Sequence, residues 1–157
     1  MLITNHVVSG ALVGATAPGP VSAFVAGVAS HFALDSVPHW GDVGEPGDPV
    51  PLTVAVPDGL VGLAVMGHLA FHTPPGHRLR VVAGMAGACL PDADKPSELF
   101  FGRSPFPAAF DAFHKRIQRE SSDRMPQEFV VAGAGLAVWA LWRGAVRRRV
   151  SRGLAGS

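Results

Sequence analysis

Five apolar stretches, separated by short polar segments, limit how this chain of 157 residues can fold. A helix that crosses a bilayer needs about 20 residues, because each residue advances the helix by about 1.5 Å. The third stretch reaches that length, the second and fifth reach it with their flanks, and the first and fourth are marginal. The stretches are residues 3–17, 20–37, 51–71, 79–91 and 128–142.

The composition supports a membrane protein. Charged residues make up 16% of the chain, against about 25% in an average soluble domain. The sequence therefore predicts an all-α fold, a polytopic membrane helical bundle with about five apolar helices in one embedded domain, residues 1–145. The alternative is a soluble helical bundle rich in Ala and Gly, because the mean hydropathy is only +0.28. The net charge of +1 argues against a nucleic-acid partner.

One amphipathic helix is predicted in the polar section before the last apolar stretch, over residues 106–121. Its apolar residues recur at spacings of four, three and four, which is typical of one helix face. These residues are Phe106, Phe110, Phe113 and Ile117. After the last apolar stretch, residues 146–157 form a basic tail that we expect to be disordered.

Histidines and aspartates recur near the ends of the apolar stretches. If five helices alternate in direction, the first four all have such residues near one end of the bundle, and the polar section follows at that same end. Charged groups are costly in an apolar setting unless they have partners. The residues expected to converge are His6, His31, Asp35, His39, Asp58, Asp92, Asp94 and His114.

The segment SHFALDSVPHW gives this cluster its clearest chemistry. His31 and Asp35 are four residues apart and share a helix face, and His39 follows after Pro38 ends the helix. Imidazole nitrogen and carboxylate oxygen are ligands for zinc, manganese or iron. We therefore predict a site for one or two divalent ions, zinc first, although a structural ion-pair network without metal is the alternative. The predicted ligands are His31, Asp35, Asp58 and Asp92, then His6, Asp94 and His39.

The arrangement resembles the bacterial membrane-bound metal-dependent hydrolase family. The resemblance covers most of residues 1–125, and the His-x-x-x-Asp helix is more distantly similar to zinc-dependent phospholipase C enzymes. A late His-Arg-Gly-x-x-His-Ser element of the family is replaced here by FHKRIQRESS, which keeps His114. The motifs that carry the resemblance are His6 with Gly10 and Gly14, SHFALDSVPHW, Asp58-Gly59 and LPDADK.

The resemblance implies a hydrolase that acts on a phosphoester or another lipid-linked substrate at the membrane interface. His114 and Asp94 are the candidates for general acid–base catalysis. Lys115, Arg116 and Arg119 either hold a phosphate or form a solvated face. The alternative function is that of a non-catalytic metal-binding membrane protein, either a metal carrier or an assembly partner.

We expect a multi-pass protein of the bacterial plasma membrane, with the bilayer itself as a partner. Cations near the two ends of the bundle set the expected orientation by the positive-inside rule. The end with the basic tail carries seven Lys and Arg residues, and the polar section 92–127 carries six. This small difference places the carboxyl terminus in the cytoplasm and the polar cluster on the extracytoplasmic face.

Overall fold

The computed structural model describes residues 1–41 and 51–155 of the chain, and most of these residues are helical. The prediction of an all-α fold is therefore confirmed. The helices are α1 (Ile3–Thr16), α2 (Pro20–Asp35), α3 (Leu52–His72), α4 (Pro75–Cys89), α5 (Asp94–Phe101), α6 (Ala108–Ile117) and α7 (Met125–Ala155). Two-residue strands β1 (His39–Trp40) and β2 (Glu120–Ser121) pair in parallel, and 3-10 turns cover Leu90–Ala93 and Ser122–Arg124.

The prediction of five spanning helices is wrong in number. All five apolar stretches are helical, but α1, α2 and α4 have 14, 16 and 15 residues. Helices of that length measure about 21–24 Å, and the hydrocarbon core of a bilayer is about 30 Å thick. Within the described residues, two helices are long and apolar enough to cross a membrane, α3 and the stretch Ser122–Arg149 that contains most of α7. Their length and composition favour membrane association.

Close contact between helix backbones holds α1, α2 and α4 together. A Cβ atom added to Gly10 of α1 would lie 2.5 Å from the carbonyl oxygen of Gly84 in α4. A Cβ atom on Gly27 of α2 would collide with that same oxygen, and one on Gly87 would collide with the carbonyl oxygen of Phe24. Glycine lets helices approach this closely. The three helices that reach the polar cluster are thus fixed to one another along their lengths.

The helices α3 and α7 pack on the outside of this group. Their inner faces supply Leu69 and Trp139 to a buried core that also contains Val7, Val81 and Met85. Their outer faces expose large apolar side chains, and an 18-residue window of each helix is only 11% and 6% buried, respectively. Such surfaces are rare on soluble monomers. The most exposed include Leu60, Leu63, Phe129, Val130 and Leu141.

The predicted amphipathic helix over residues 106–121 is present as the shorter α6, Ala108–Ile117, which leaves Phe106 outside the helix. The rings of Phe110 and Phe113 pack against Phe32 of α2, at centroid distances of 6.0 and 5.4 Å. The helix stops at Ile117 because the following residues turn to meet β1, where the backbone N–H of His39 donates to the carbonyl oxygen of Arg119 at 3.0 Å. This pairing ties α6 to the end of α2.

Helix α7 extends into the basic tail. Helix α7 continues to Ala155, and residues 156–157 lie outside the described part of the chain. Arg and Ala are good helix formers, and adding a residue to an existing helix avoids the cost of nucleation. The helix therefore extends through the arginines that follow the apolar stretch.

Candidate metal centre

Four buried side chains converge at one end of the bundle. Each offers one donor atom, and these four atoms all lie within 4.8 Å of one another. The exposed fractions of the residues are 0%, 0%, 7% and 2% in chain order. They come from the last two turns of α2, the 3-10 turn after α4, and α6. We call His31, Asp35, Asp92 and His114 the four-residue group.

Asp35 is the centre of the four-residue group. Its Oδ2 atom lies 3.0 Å from His114 Nε2 and 3.1 Å from His31 Nε2. The two imidazole nitrogens lie 2.9 Å from each other. Asp92 Oδ1 faces the same two nitrogens at 3.9 Å. Nitrogen and oxygen donors on three separate segments therefore point at one small volume.

A backbone contact determines which nitrogen of His31 is free. Its Nδ1 lies 2.7 Å from the carbonyl oxygen of Ala88, and a carbonyl oxygen only accepts hydrogen bonds. Nδ1–H is therefore the donor, and in the neutral ring Nε2 keeps its lone pair towards the four-residue group. Metal-binding histidines commonly donate their other nitrogen in this way.

His6 of α1 faces the second oxygen of each carboxylate, Asp35 and Asp92. Its Nε2 atom is 3.2 Å from Asp35 Oδ1 and 4.0 Å from Asp92 Oδ2, whereas Oδ2 of Asp35 and Oδ1 of Asp92 face His31 and His114. The His6 ring stacks on the His31 ring at a centroid distance of 4.0 Å. Each carboxylate thus faces His6 with one oxygen and the other two imidazoles with the other, and Asp35 Oδ1 also lies 3.5 Å from the buried N-terminal ammonium of Met1.

Several buried polar atoms of this cluster lack hydrogen bonds. Among the described residues, Nδ1 and Nε2 of His6 and Oδ1 of Asp35 have no hydrogen-bond partner. An unsatisfied buried group costs about 1–3 kcal/mol, so native proteins seldom keep several together. A divalent cation would satisfy the lone pair of His6 Nε2 and that of Asp35 Oδ1, whereas the other nitrogen of a neutral His6 ring is a donor. The donor set fits such an ion, so the prediction that these residues could hold a metal is supported.

Asp92 also forms an ion pair at the edge of the cluster. Its Oδ1 accepts a hydrogen bond from Lys95 Nζ at 2.6 Å. Burial alone would raise the pKa of the Asp92 carboxyl, but Lys95 and the nearby His6 and His31 rings lower it to about 2. Asp92 is therefore an anion at neutral pH, as a ligand of a cation must be.

Asp58 lies at the same end of the bundle but outside the four-residue group. Its Oδ2 accepts from the backbone N–H of Ile3 at 2.6 Å, and its Oδ1 accepts from the Thr4 hydroxyl at 2.8 Å. Helix α1 has no side-chain cap of its own, so Asp58 of α3 satisfies its first N–H groups. The structure gives this predicted ligand a capping contact.

Asp58→Ala is expected to lower the free energy of unfolding by about 1–2 kcal/mol, as loss of a helix cap does, while zinc binding keeps its stoichiometry. Thermal unfolding with and without zinc checks both quantities. Glu98→Ala, on the exposed face of α5, is the control. A loss of zinc binding in Asp58→Ala at unchanged stability would instead make Asp58 a ligand.

His39 and Glu120 form a separate pair beside the cluster, across the β1–β2 bridge. His39 is fully buried, its Nδ1 lies 2.8 Å from the carbonyl oxygen of Val37, and its Nε2 is 3.9 Å from Glu120 Oε1. The His39 ring lowers the pKa of the Glu120 carboxyl. A Cβ on Gly41 would meet that carboxylate at 2.6 Å, so a larger residue there would require the Glu120 side chain to shift. His39 is thus close to the site without belonging to the four-residue group.

Asp94 and the cations of α6 lie nearer the solvent. Asp94 Oδ1 accepts from the backbone N–H of Lys95 at 2.8 Å, and burial raises the pKa of the Asp94 carboxyl. Lys115 and Arg116 are exposed, and the Arg116 guanidinium lies 6.0 Å from the centroid of the Phe113 ring. These contacts fit the solvated face that was one of the two predictions for the cations of α6.

Glu128, an acidic residue near the start of α7, was not among the predicted site residues. It is 1% exposed, and its carboxylate accepts from the backbone N–H groups of Leu2 and Trp40, both at 3.0 Å, and from Asn5 Nδ2 at 2.8 Å. It thereby joins α1, β1 and α7 behind the site. An acidic residue at the start of an apolar stretch was the available signal.

The fold and the site define a helical protein with a buried histidine–aspartate group able to hold a metal ion. No family model, curated protein or solved structure matches this chain. Its function is therefore inferred from the geometry of the site, together with the motifs noted in the sequence.

Proposed function

We propose that this protein is a membrane-bound metal-dependent hydrolase that acts on a phosphoester or another lipid-linked bond. The observation that supports this most directly is the convergence of three imidazole Nε2 atoms and two buried carboxylates, from α1, α2, α6 and the turn after α4. The resemblance to bacterial membrane-bound metal-dependent hydrolases points the same way.

The four-residue group would hold the cation, with zinc as the first candidate and manganese or iron as alternatives. His6 contacts the outward oxygens of Asp35 and Asp92, so it would complete the same site or hold a second ion. A divalent cation supplies a Lewis acid that lowers the pKa of bound water and polarises the scissile oxygen. Because His114 belongs to the group, Asp94 is the better placed of the two predicted residues to move a proton.

Membrane placement follows from the exposed apolar surfaces. Helices α3 and α7 would cross the bilayer, and α5 starts directly after the turn that holds Asp92. Helix α5 exposes Leu99, Phe100 and Phe101 by 52%, 74% and 77%, which suits the boundary between headgroups and acyl chains. The site would then lie at an interface rich in phosphate esters. We propose the extracytoplasmic face of a bacterial plasma membrane.

A second function is favoured by the number of donors. Five residues, the four-residue group and His6, form the cluster, and each is at most 7% exposed. An ion held by all of them would have no open position for water, as in structural rather than catalytic sites. This arrangement would suit a metal carrier or an assembly partner that binds an ion without hydrolysis.

The first experiment measures metal content by elemental mass spectrometry on protein purified in detergent without chelator. Hydrolysis of p-nitrophenyl phosphate esters and of phospholipids in mixed micelles is then assayed. We expect bound metal and chelator-sensitive hydrolysis, both lost in His31→Ala. His68→Ala, an exposed histidine on α3, is the matched control.

Each outcome separates the candidates. Metal without hydrolysis of any ester would exclude the hydrolase and favour the carrier. A wild-type protein that binds no added zinc, manganese or iron would rule out both functions and leave an ion-pair network.

A further inference from the structure

Lys95 links the buried cluster to solvent. Its Nζ atom donates to Asp92 Oδ1 at 2.6 Å, and that oxygen also faces the Nε2 atoms of His31 and His114. The Lys95 side chain is 49% exposed, whereas the Asp92 side chain is 8% exposed. The Lys95 side chain therefore runs from the exposed surface to the four-residue group, with its ammonium next to Asp92.

The hydrogen-bonding capacity of Lys95 is largely unused. An ammonium carries three N–H donors. Among the described residues, Asp92 Oδ1 is the one acceptor that Nζ contacts. Asp94, the neighbouring carboxylate, accepts instead from the backbone N–H of Lys95. Two N–H donors of the side chain are thus left for an acceptor that comes from solvent, and a charged oxygen is the strongest such acceptor.

The charge balance around Lys95 also favours an anionic ligand. In the structure described here, Asp92 is the ion-pair partner of Lys95. When Asp35 and Asp92 balance the charge of a divalent cation, Lys95 no longer has Asp92 as a full counter-charge. A cation held by the four-residue group and the Lys95 ammonium beside it would together attract a ligand with more than one anionic oxygen. A phosphoryl group provides such oxygens, and a neutral ester carbonyl does not.

We propose that Lys95 forms a phosphoryl-binding subsite, in which Nζ holds one anionic oxygen of the substrate while another oxygen faces the four-residue group. This inference rests on the proposed function and narrows its substrate class to phosphate esters. It assigns the phosphate to Lys95, in the first turn of α5, and leaves Lys115 and its neighbours on α6 in their solvated role.

The test uses the full chain in detergent, loaded with zinc, and isothermal titration with inorganic phosphate. A second titration uses dioleoyl phosphatidate in mixed micelles, which presents the same group as a lipid headgroup. Lys95→Met is expected to keep the zinc stoichiometry of the wild type and to weaken phosphoryl binding at least tenfold. Lys115→Met, an equal change on exposed α6, is expected to bind as the wild type does.

Lys95→Arg keeps the cation and guards against a folding defect in Lys95→Met. We expect Lys95→Arg to retain most of the binding, and thermal unfolding of both variants shows whether they are folded. If Lys95→Met binds free phosphate more weakly than the wild type, the subsite accepts a phosphoryl group whether it is free or part of a lipid. If Lys95→Met weakens the binding of phosphatidate alone, the subsite is specific for a lipid headgroup.

Two results would overturn the subsite. One is a folded Lys95→Met protein that binds phosphate and phosphatidate like the wild type, and the other is a zinc-loaded wild type that binds neither. Absence of zinc binding is read separately, because it removes the proposed function itself.

Discussion

Gly27→Ala is expected to destabilise the protein by about 3 kcal/mol or more, a large effect for one methyl group. The added Cβ would collide with the carbonyl oxygen of Gly84 and lie 2.9 Å from the backbone nitrogen of Ala88. Both atoms belong to the backbone of α4, so neither can rotate away as a flexible side chain would. Helices α2 and α4 must separate, and thermal unfolding in detergent measures the loss.

The same separation should reach the metal centre. Gly27 lies one turn before His31, and Ala88 accepts the hydrogen bond from His31 Nδ1. When α2 moves away from α4, that hydrogen bond breaks and the His31 ring is no longer held in one orientation. Zinc affinity of Gly27→Ala is therefore expected to fall together with its melting temperature.

Gly67→Ala in α3 is the matched control. A Cβ there meets no atom within 4 Å, and alanine favours helix by about 1 kcal/mol over glycine. This variant should be as stable as the wild type or slightly more so. Equal stabilities of Gly27→Ala and Gly67→Ala would show that α2 and α4 are not in backbone contact.

The part of the site that lies on one helix is readable from the sequence. His31 and Asp35 share a face because they are four residues apart, and alternating helix directions place His6, Asp92 and His114 at the same end. Direction alone does not say which face of a helix is turned inward. Asp58 and Asp92 are both aspartates at the correct end, yet Asp92 faces the imidazoles and Asp58 caps α1.

The sequence predicts that the five apolar stretches are helical more readily than it predicts how long the helices are or which surfaces they expose. Prolines limit the short helices, since α4 starts at Pro75 and is followed by Pro91, and α2 starts at Pro20. Hydropathy also cannot tell residues that pack against other helices from those that face lipid. Ala11, Ala23 and Ala88 are fully buried between α1, α2 and α4. These small residues reflect mutual packing, whereas the large apolar residues of α3 and α7, together with Val21 and Val25 of α2, form exposed surface.

Asp35→Asn is expected to lower zinc affinity by at least about a hundredfold, or roughly 2.7 kcal/mol of binding free energy. The carboxylate contacts the Nε2 atoms of His6, His31 and His114 at 3.0–3.2 Å, so no other ligand touches as many partners. The amide keeps the volume and removes the charge. Competition with a chromogenic zinc chelator measures the affinity.

Stability with and without metal distinguishes a metal centre from an ion-pair network. A ligand at a thousand times its dissociation constant stabilises the folded state by about 4 kcal/mol. Wild-type protein should gain that increment from zinc and lose it with chelator, whereas a hundredfold weaker site in Asp35→Asn should gain only about 1.4 kcal/mol at the same zinc concentration. Asp111→Asn, whose carboxylate accepts from Ser104 on the neighbouring loop, should respond to zinc as the wild type does. If instead the wild type is indifferent to zinc and Asp35→Asn simply melts lower, the three imidazoles and Asp35 act as a structural ion-pair network.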